Sequence, residues 1–262
     1  MNGYLRTAVK AAKKAGRIMC RYFHNPETEH KETSNNLVTR ADLACQKAIE
    51  DIIRRKYPRH SLLGEEGENA ADTQEGSIWI FDPLDGTNNY AHGIPQFCSS
   101  VAYAEKGAVL AGAVFDPVRH ELFTAVKGQG ARCNGRLIAP SAAGSLQESV
   151  IATGFYYDVG DMMRATLGTL DKLLSRGIHG IRRFGSAALD MCWVAMGRLD
   201  AFFEYKLSPW DFAAAMLIVR EAGGVCTDCL GNQLALTSGT VAVSNGRFHD
   251  SFLGDVRYTP PV

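Results

Sequence analysis

Two aspartates, Asp82 and Asp85, lie in the stretch Asp82-Pro83-Leu84-Asp85-Gly86-Thr87. An apolar run at residues 77–81 comes directly before them and is typical of a buried strand. Pro83 cannot donate to a sheet ladder and Gly86 permits a tight turn, so we predict that the strand ends where the carboxylates begin. The stretch therefore places acidic groups at the C-terminal end of a strand, a common position for sites in α/β folds.

These neighbouring carboxylates would repel each other if both were buried and ionised, and a divalent cation removes that conflict. Mg²⁺ prefers oxygen ligands and commonly takes substrate phosphate oxygens beside a few carboxylates and waters. Backbone amides near Gly86 and Thr87, at the start of a helix suggested by residues 88–91, would suit a phosphate. The same residues are also compatible with an ordinary type I turn on the surface. We predict that a metal and a phosphate meet on this turn.

Two further acidic residues, Asp211 and Glu65, also lie next to apolar segments. Asp211 comes just after Pro209, at the start of an apolar segment that predicts a buried helix ending at Gly223. In that first turn, the alternative is that Asp211 only charges or caps the helix end. Glu65 follows the apolar residues Leu62 and Leu63, fewer than twenty positions before the first aspartate of the pair. The sequence thus offers a dispersed set of carboxylates for one site.

The three acidic blocks resemble signatures of the inositol monophosphatase family, which comprises Mg²⁺-dependent, lithium-sensitive phosphatases that share the fructose-1,6-bisphosphatase fold. The resemblance implies that Glu65, Asp82 and the Leu84 carbonyl ligate one Mg²⁺, and that Asp82, Asp85 and Asp211 ligate a second. A third, weaker Mg²⁺ site would use Glu65 and water. Two to three ions are therefore implied.

The resemblance extends upstream of these blocks. Residues 36–42 match a family segment whose aspartate hydrogen-bonds the threonine of the first signature, which places Asp42 beside Thr87. The alternative for Asp42 is the N-cap of a helix that runs to Arg55. Lys31 maps onto a lysine of a mobile hairpin near the third metal, and its alternative is a plain exposed lysine.

Substrate contacts are implied in the C-terminal half. Residues 179–188 resemble the family segment that touches sugar hydroxyls, and Glu204 matches a glutamate that hydrogen-bonds a ring hydroxyl. A charge at the edge of a strand is the alternative for Glu204. The implied substrate-binding residues are Gly86, Thr87, Gly185, Ser186, Ala187, Glu204 and Asp211.

The implied reaction is hydrolysis of a phosphate monoester by in-line attack of metal-bound water. Glu65 and the Thr87–Asp42 pair would orient or deprotonate that water, and the second metal with water near Asp85 would serve the leaving oxygen. Inositol 1-phosphate is the expected substrate, because neither an inserted segment nor an aromatic platform for a nucleotide base is evident. The alternatives are fructose 1,6-bisphosphate, histidinol phosphate, NADP and 3′-phosphoadenosine phosphates.

The sequence leaves two alternatives to a purely catalytic role, a regulatory protein without activity and a partner of the transcription or RNA machinery. The complete acidic set argues against a catalytically dead regulatory protein. A partner of the transcription or RNA machinery, which some bacterial relatives are, is compatible with catalysis. The resemblance further implies a homodimer.

Composition agrees with an ordinary globular enzyme. The chain has 262 residues, of which 46% are hydrophobic, with 28 acidic and 28 basic residues. The zero net charge argues against nucleic-acid binding, and we expect no membrane span or signal peptide. An amphipathic helix from about Tyr4 to Phe23 should pack against the domain. Seven cysteines suit a reducing cytoplasm, and Cys226 and Cys229 are expected to be incidental thiols.

Alternating strand and helix patterns predict a layered α/β fold, and the resemblance implies an αβαβα sandwich of the sugar phosphatase type. We expect one phosphatase domain over residues 1–262, with halves at about 1–145 and 146–262 and the site between them. The predicted strands are Cys98–Glu105, Val109–Phe115, Glu121–Val126, Val150–Thr153, Leu199–Phe203 and Val241–Ser244. Helices are predicted at Met162–Leu174 and Ala187–Met196.

Overall fold

A computed structural model describes residues 2–23, 28–30, 37–67, 72–156 and 159–259 of the chain. Lys31 lies outside these residues. The helices are α1 (Gly3–Tyr22), α2 (Arg40–Lys56), α3 (Thr87–Ala91), α4 (Asp161–Ser175), α5 (Ala187–Ala195), α6 (Pro209–Ala222) and α7 (His249–Val256). A short 3₁₀ helix covers Leu146–Glu148.

The strands form a small hairpin and two larger sheets. The hairpin pairs β1 (Thr28–His30) with β2 (Leu37–Thr39). The larger sheet has seven strands in chain order: β3 (Ser61–Gly64), β4 (Ser77–Asp85), β5 (Cys98–Glu105), β6 (Ala108–Asp116), β7 (Glu121–Val126), β8 (Ala131–Cys133) and β9 (Arg136–Leu137). The second sheet has the order β11-β10-β12-β14-β13, from β10 (Val150–Thr153), β11 (Gly180–Arg182), β12 (Ala201–Leu207), β13 (Val225–Thr227) and β14 (Gly239–Ser244).

These elements stack in five layers, which confirms the predicted αβαβα sandwich. Alternate residues of β4 point to opposite faces, as the two-residue period of a strand requires. Trp79 and Phe81 pack with α1 and α2 in one core, and Ile78 and Ile80 pack with α5 and α6 in the next. A third core, which includes Phe203, joins the far face of the second sheet to α4 and α7.

Helix α1 packs on the larger sheet through small side chains, because alanines at helical spacing let the backbone approach closely. Ala8, Ala12 and Ala15 are fully buried, and Tyr4 stacks on Tyr103 with ring centroids 3.8 Å apart. The amphipathic N-terminal helix predicted from the sequence is thus confirmed. Among the described residues, no helix has both the length and the apolar character needed to cross a bilayer.

The predicted end of the strand before Asp82 is wrong, since β4 continues to Asp85. Asp82 pairs with Ser100 and Asp85 pairs with Cys98, so three steps on β4 face two steps on β5. This register shift is a β-bulge. Because a bulge leaves the extra residue outside the ladder, Pro83 is accommodated there despite having no N–H to donate.

Both cysteines of the Cys226/Cys229 pair are buried and free of disulfides. The Cys226 thiol faces the Met216 carbonyl, and the Cys229 thiol faces the Val241 carbonyl at 3.6 Å. Burial raises the pKa of each thiol to about 12. Both thiols are therefore neutral, with Cys226 in the core that includes α5 and α6 and Cys229 in the third core with α4 and α7.

Candidate active site

A cavity of about 200 Å³ opens between the C-terminal end of β4 and the start of α6. It collects the sequence-predicted residues of both halves of the chain. Those that line it are Glu65, Asp82, Leu84, Asp85, Gly86, Thr87, Gly185, Ser186, Ala187, Glu204 and Asp211. Asp42 lies just behind this wall and reaches the cavity through Thr87.

Asp82 is deeply buried at the base of the cavity. Its side chain is buried, and its Oδ1 accepts a hydrogen bond from the Leu84 backbone amide at 2.8 Å. Burial raises the pKa of Asp82 well above its usual range, and the nearby carboxylates of Glu65, Asp85 and Asp211 raise it further. Asp82 therefore takes its ionised form readily only beside a compensating positive charge.

Asp85 is held in place by α5. Its Oδ2 accepts hydrogen bonds from the Ser186 hydroxyl at 2.6 Å and from the Ala188 backbone amide at 2.8 Å. Burial raises the pKa of Asp85 to about 6, while these donors act in the opposite direction. The Ser186 hydroxyl, which the resemblance implied as a substrate contact, thus already has a partner within the protein.

Asp211 occupies the third position of α6 and forms a capping box with Ser208. The Ser208 backbone amide donates to Asp211 Oδ2 at 2.7 Å, and Pro209 fills the first helical position. Burial and the carboxylates of Glu65 and Asp85 raise the pKa of Asp211 well above its usual range. The capping role that the sequence offered as an alternative is present, and the same side chain also faces the cavity, where the role of metal ligand stays a prediction.

Thr87 and Asp42 form the predicted pair. The Thr87 hydroxyl lies 3.0 Å from both Asp42 Oδ1 and the Leu84 carbonyl oxygen. Asp42 Oδ2 accepts from the Thr39 backbone amide at 2.8 Å, so Thr39, rather than Asp42, is the N-cap of α2. Burial is the main reason that the pKa of Asp42 rises to about 6, with Glu65 adding to it.

Gly86 turns the chain from β4 into α3 with a φ of 97°, a conformation that favours glycine. A side chain on Gly86 would also collide with the Gln96 carbonyl oxygen, 2.8 Å from the Cβ position. The local backbone thus depends on glycine at the point where the sequence analysis expected a phosphate to bind.

Glu204 lies in the middle of the second sheet, because β12 runs between β10 and β14. The alternative of a charge at a sheet edge is therefore excluded. Burial raises the pKa of Glu204 to about 8, with Arg183 opposing the rise. A methyl group on Gly154 would collide with the Glu204 carboxylate, so this glycine makes room for it.

Asp190 was missed by the sequence analysis. It projects into the cavity from α5, is almost fully buried, and its Oδ1 has no hydrogen-bond partner among the described residues. Burial raises the pKa of Asp190 well above its usual range, with Asp85 and Glu204 adding to the rise. The available signal was a single acidic residue in the otherwise apolar segment Ala187–Ala195.

The cavity also has aromatic walls that the sequence analysis did not expect. Phe155, Tyr156 and Trp210 line it together with the cations Arg183 and Lys206. Lys206 Nζ lies 4.4 Å from the centroid of the Tyr156 ring. The cavity thus has aromatic side chains in its wall, while the expectation that it offers no platform for a nucleotide base stays a prediction.

The donor set fits a hard cation, since buried carboxylates with raised pKa values require a positive charge to ionise together. No group of three His, Cys, Asp or Glu side chains in the described part of the chain converges closely enough to hold a bare ion. Mg²⁺ does not require such a closed cage, because it keeps waters and takes substrate phosphate oxygens as ligands. Carboxylates, the Leu84 carbonyl and space for oxygen ligands are present together in this cavity.

Comparison with known proteins places this geometry in a family. The model of the inositol monophosphatase family matches residues 2–259. The Nus factor SuhB of Escherichia coli K12 is 39% identical over 259 residues, covering 98% of this chain and 97% of that protein. The solved structure of the Thermotoga maritima IMPase is 36% identical, with a TM-score of 0.87 and coverage of 96% of each chain.

Two other similar solved structures contain ligands. The inositol monophosphate-bound SaIMPase-II is 29% identical, with a TM-score of 0.80 over 96% of this chain and 92% of that one. An IMPase/NADP phosphatase complexed with Mg²⁺ and phosphate is 27% identical, with a TM-score of 0.84 over 94% and 92% of the two chains.

Proposed function

This chain belongs to the inositol monophosphatase family, and on that premise we propose that it hydrolyses inositol 1-phosphate to inositol and phosphate with Mg²⁺ as cofactor. The observation that carries the proposal is the convergence of Glu65, Asp82, Asp85 and Asp211 on one cavity. These residues come from the ends of two strands of the larger sheet, β3 and β4, and from the start of α6, so folding alone brings them together. A purely structural role would leave their mutual repulsion unexplained.

The residues that would hold Mg²⁺ are those implied by the resemblance. Glu65, Asp82 and the Leu84 carbonyl form one set, Asp82, Asp85 and Asp211 form the second, and Glu65 would serve a third, weaker ion. When bound, Mg²⁺ neutralises phosphoryl oxygens, lowers the pKa of water and stabilises a leaving alkoxide. The two to three ions remain part of the proposal.

The protein's own contribution to the attack lies in Thr87 and Asp42. Because the Thr87 hydroxyl can donate its hydrogen to Asp42 Oδ1, its oxygen is left free to accept a hydrogen bond from a water in the cavity. Asp42 is fixed in turn by the Thr39 backbone amide. The pair thus orients a water beside Gly86, where the phosphate would lie.

The opposite end of the cavity would bind the sugar. Glu204 projects from a central strand, so its carboxylate is rigidly placed to meet a ring hydroxyl. Gly185 and Ala187 line the same region and leave room for a ring because their side chains are small. Glu204 discriminates among sugars in this proposal, while the metal ligands act on any phosphate monoester.

A substrate panel with purified protein tests the proposal. With Mg²⁺ present, we expect kcat/KM to be highest for inositol 1-phosphate among inositol 1-phosphate, fructose 1,6-bisphosphate, histidinol phosphate, NADP and 3′-phosphoadenosine 5′-phosphate. Preference for a nucleotide would overturn the sugar assignment and would direct attention to Tyr156 and Trp210. Phosphatase activity that survives metal removal would overturn the metal assignment.

A second role, as a partner of the transcription machinery, is suggested by the Nus factor SuhB, whose length this chain covers almost completely. The role is compatible with catalysis. Affinity capture from a bacterial lysate with the catalytically impaired Asp211→Asn protein would test it, since retained partners would show independence from turnover. The homodimer implied by the resemblance is tested by light scattering of the purified chain.

A further inference from the structure

Basic residues are concentrated on the outer face of α1. The buried face of this helix is apolar, and no acidic residue occurs anywhere along it. All of its basic residues are exposed: Arg6, Lys10, Lys13, Lys14, Arg17 and Arg21. The helix therefore presents a continuous cationic surface to solvent.

Helix α2 extends this surface and shapes it. A groove of about 280 Å³ lies between the two helices and is lined by Lys10, Lys14, Arg17 and Arg55. We call these four residues the basic groove. Asp51 is the one acidic residue among those that line it. Within the described part of the chain, none of the four cations takes part in an ion pair.

The charge of the basic groove contrasts with the charge of the whole chain. The two helices together carry eleven basic residues, six on α1 and five on α2, against three acidic residues, one of which is the buried Asp42. The chain as a whole has 28 of each kind. Net charge is the sum over all faces of the protein, so a value of zero is compatible with a strongly positive surface on these two helices.

The shape of the surface distinguishes between anionic partners. A bilayer would require apolar side chains to enter it, yet Leu5, Ala8 and Ala15 of α1 are buried against the sheet. A groove instead fits an extended chain. Lys10 and Arg17 are separated by about 10 Å along the helix axis at 1.5 Å per residue, so the cations can follow a row of successive phosphates.

We propose that the basic groove binds a single strand of nucleic acid through its phosphates, without base specificity. The proposal does not depend on phosphatase activity, because α1 and α2 pack on the face of the larger sheet opposite α5 and α6. Binding through phosphates releases condensed counterions, so affinity should fall steeply as salt rises. For four phosphates, the loss is about 50-fold between 50 and 200 mM salt.

The test is fluorescence anisotropy of the full chain with a labelled RNA of about 20 nucleotides and mixed sequence. The triple variant Lys10→Glu, Lys14→Glu, Arg17→Glu should bind roughly tenfold more weakly or worse, since it reverses most of the groove charge. A matched control reverses three exposed basic residues elsewhere: Lys127→Glu, Arg136→Glu and Lys172→Glu. The control should keep its affinity, and both variants should keep the wild-type unfolding temperature and inositol 1-phosphatase activity.

Three results would overturn the proposal. Equal weakening in the control variant would show that net charge alone governs binding. An affinity that does not depend on salt would exclude a phosphate-directed contact. Tighter binding to vesicles of phosphatidylcholine and phosphatidylserine, or to polyglutamate, than to the RNA would assign the groove to a membrane or to an acidic protein instead.

Discussion

The Thr87 hydroxyl lies 3.0 Å from Asp42 Oδ1, although the two residues are 45 positions apart in the chain. The other oxygen of Asp42 accepts from the backbone amide of Thr39 at the start of α2. The cap of one helix therefore fixes the carboxylate that orients the first residue of α3. The N-terminus of α2 and the candidate site therefore share one side chain.

Asp42→Asn should lower kcat strongly while KM changes little, because Asp42 accepts from Thr87 with one oxygen and from Thr39 with the other, and asparagine has only one acceptor oxygen. Steady-state kinetics on inositol 1-phosphate measure the effect. Thr39→Ala is the matched control, since it removes the cap and keeps the Asp42 carboxylate. The control should cost about 0.5–2 kcal/mol in the free energy of unfolding and retain most of kcat. If both variants lose kcat equally, the Thr87 contact has no role of its own.

Removal of Mg²⁺ should abolish activity, because the cavity lined by Glu65, Asp82, Asp85 and Asp211 would then lack the cation that neutralises phosphoryl oxygens and lowers the pKa of water. Activity is measured before and after exhaustive treatment with EDTA, with metal content checked by atomic absorption and activity restored by added Mg²⁺. Full turnover without metal would contradict the assignment. Li⁺ should inhibit at millimolar rather than micromolar levels, an order-of-magnitude expectation since it carries about half the charge of Mg²⁺.

Asp211→Asn should remove most of the activity and leave the fold intact. The asparagine side-chain oxygen can still accept the hydrogen bond from the Ser208 backbone amide, so the capping box survives while the ligand charge is lost. If Asp211 served only the helix end, the change would cost about 0.3–1 kcal/mol of stability and turnover would persist. Activity and thermal unfolding of the same preparation distinguish these outcomes.

Glu204→Gln should discriminate between substrates. Above about pH 8, where the Glu204 carboxylate is ionised, losing a hydrogen bond that involves a charged group costs about 1.5–3 kcal/mol, or roughly tenfold to a hundredfold in kcat/KM for inositol 1-phosphate. A phosphate monoester without ring hydroxyls, such as 4-nitrophenyl phosphate, should be nearly unaffected. Equal losses on both substrates would show that Glu204 supports the architecture of the cavity without touching the sugar.

The same carboxylate predicts a dependence of stability on pH. Because the pKa of Glu204 is raised to about 8 by burial, the folded state keeps a proton that the unfolded state loses near pH 4.5. This contribution to stability is complete below pH 4.5 and is lost as the pH rises through about 8. The slope for one proton is about 1.4 kcal/mol per pH unit.

Urea unfolding in EDTA across this pH range measures that slope. Other buried carboxylates, such as Asp82 and Asp211, act in the same direction, so the wild-type slope includes several groups. Only the difference in slope between the wild type and Glu204→Gln isolates the contribution of Glu204. The variant should lose less stability as the pH rises, and parallel curves would contradict the raised pKa.

Much of the fold was accessible from the sequence. The predicted bounds of β5, β7 and β10 are confirmed to the residue, because clear turn residues flank apolar segments there. The end of β4 was predicted wrongly because proline was taken as a terminator, whereas a bulge absorbs it. A bulge depends on the pairing with β5, which local sequence does not encode.

The residues of the candidate site likewise divide into those that the sequence predicted and those that only the structure revealed. Residues in recognisable signatures lie together in the cavity, as Asp82 and Asp211 do. Asp190 and Tyr156 reach the cavity only through the tertiary arrangement of α5 and the segment after β10. Neither stands in a pattern whose spacing implies chemistry. Such side chains can be assigned to the cavity only from the folded structure, because the packing of neighbouring elements is what brings them close to it.

The bulge in β4 has a consequence for the length of the segment from Asp82 to Asp85. In a regular strand, residues separated by an odd number of positions point to opposite faces, so these carboxylates would be divided between two layers of the protein. The extra residue restores an even count, because their partners Ser100 and Cys98 are two positions apart. Deleting Pro83 or Leu84 alone would leave the carboxylates two positions apart, which is the same-face spacing of a regular strand, so the bulge would be lost and the pair would stay on one side. Segment length and ladder regularity are therefore coupled: three steps between the carboxylates keep them on one side of the sheet only because one residue lies outside the ladder.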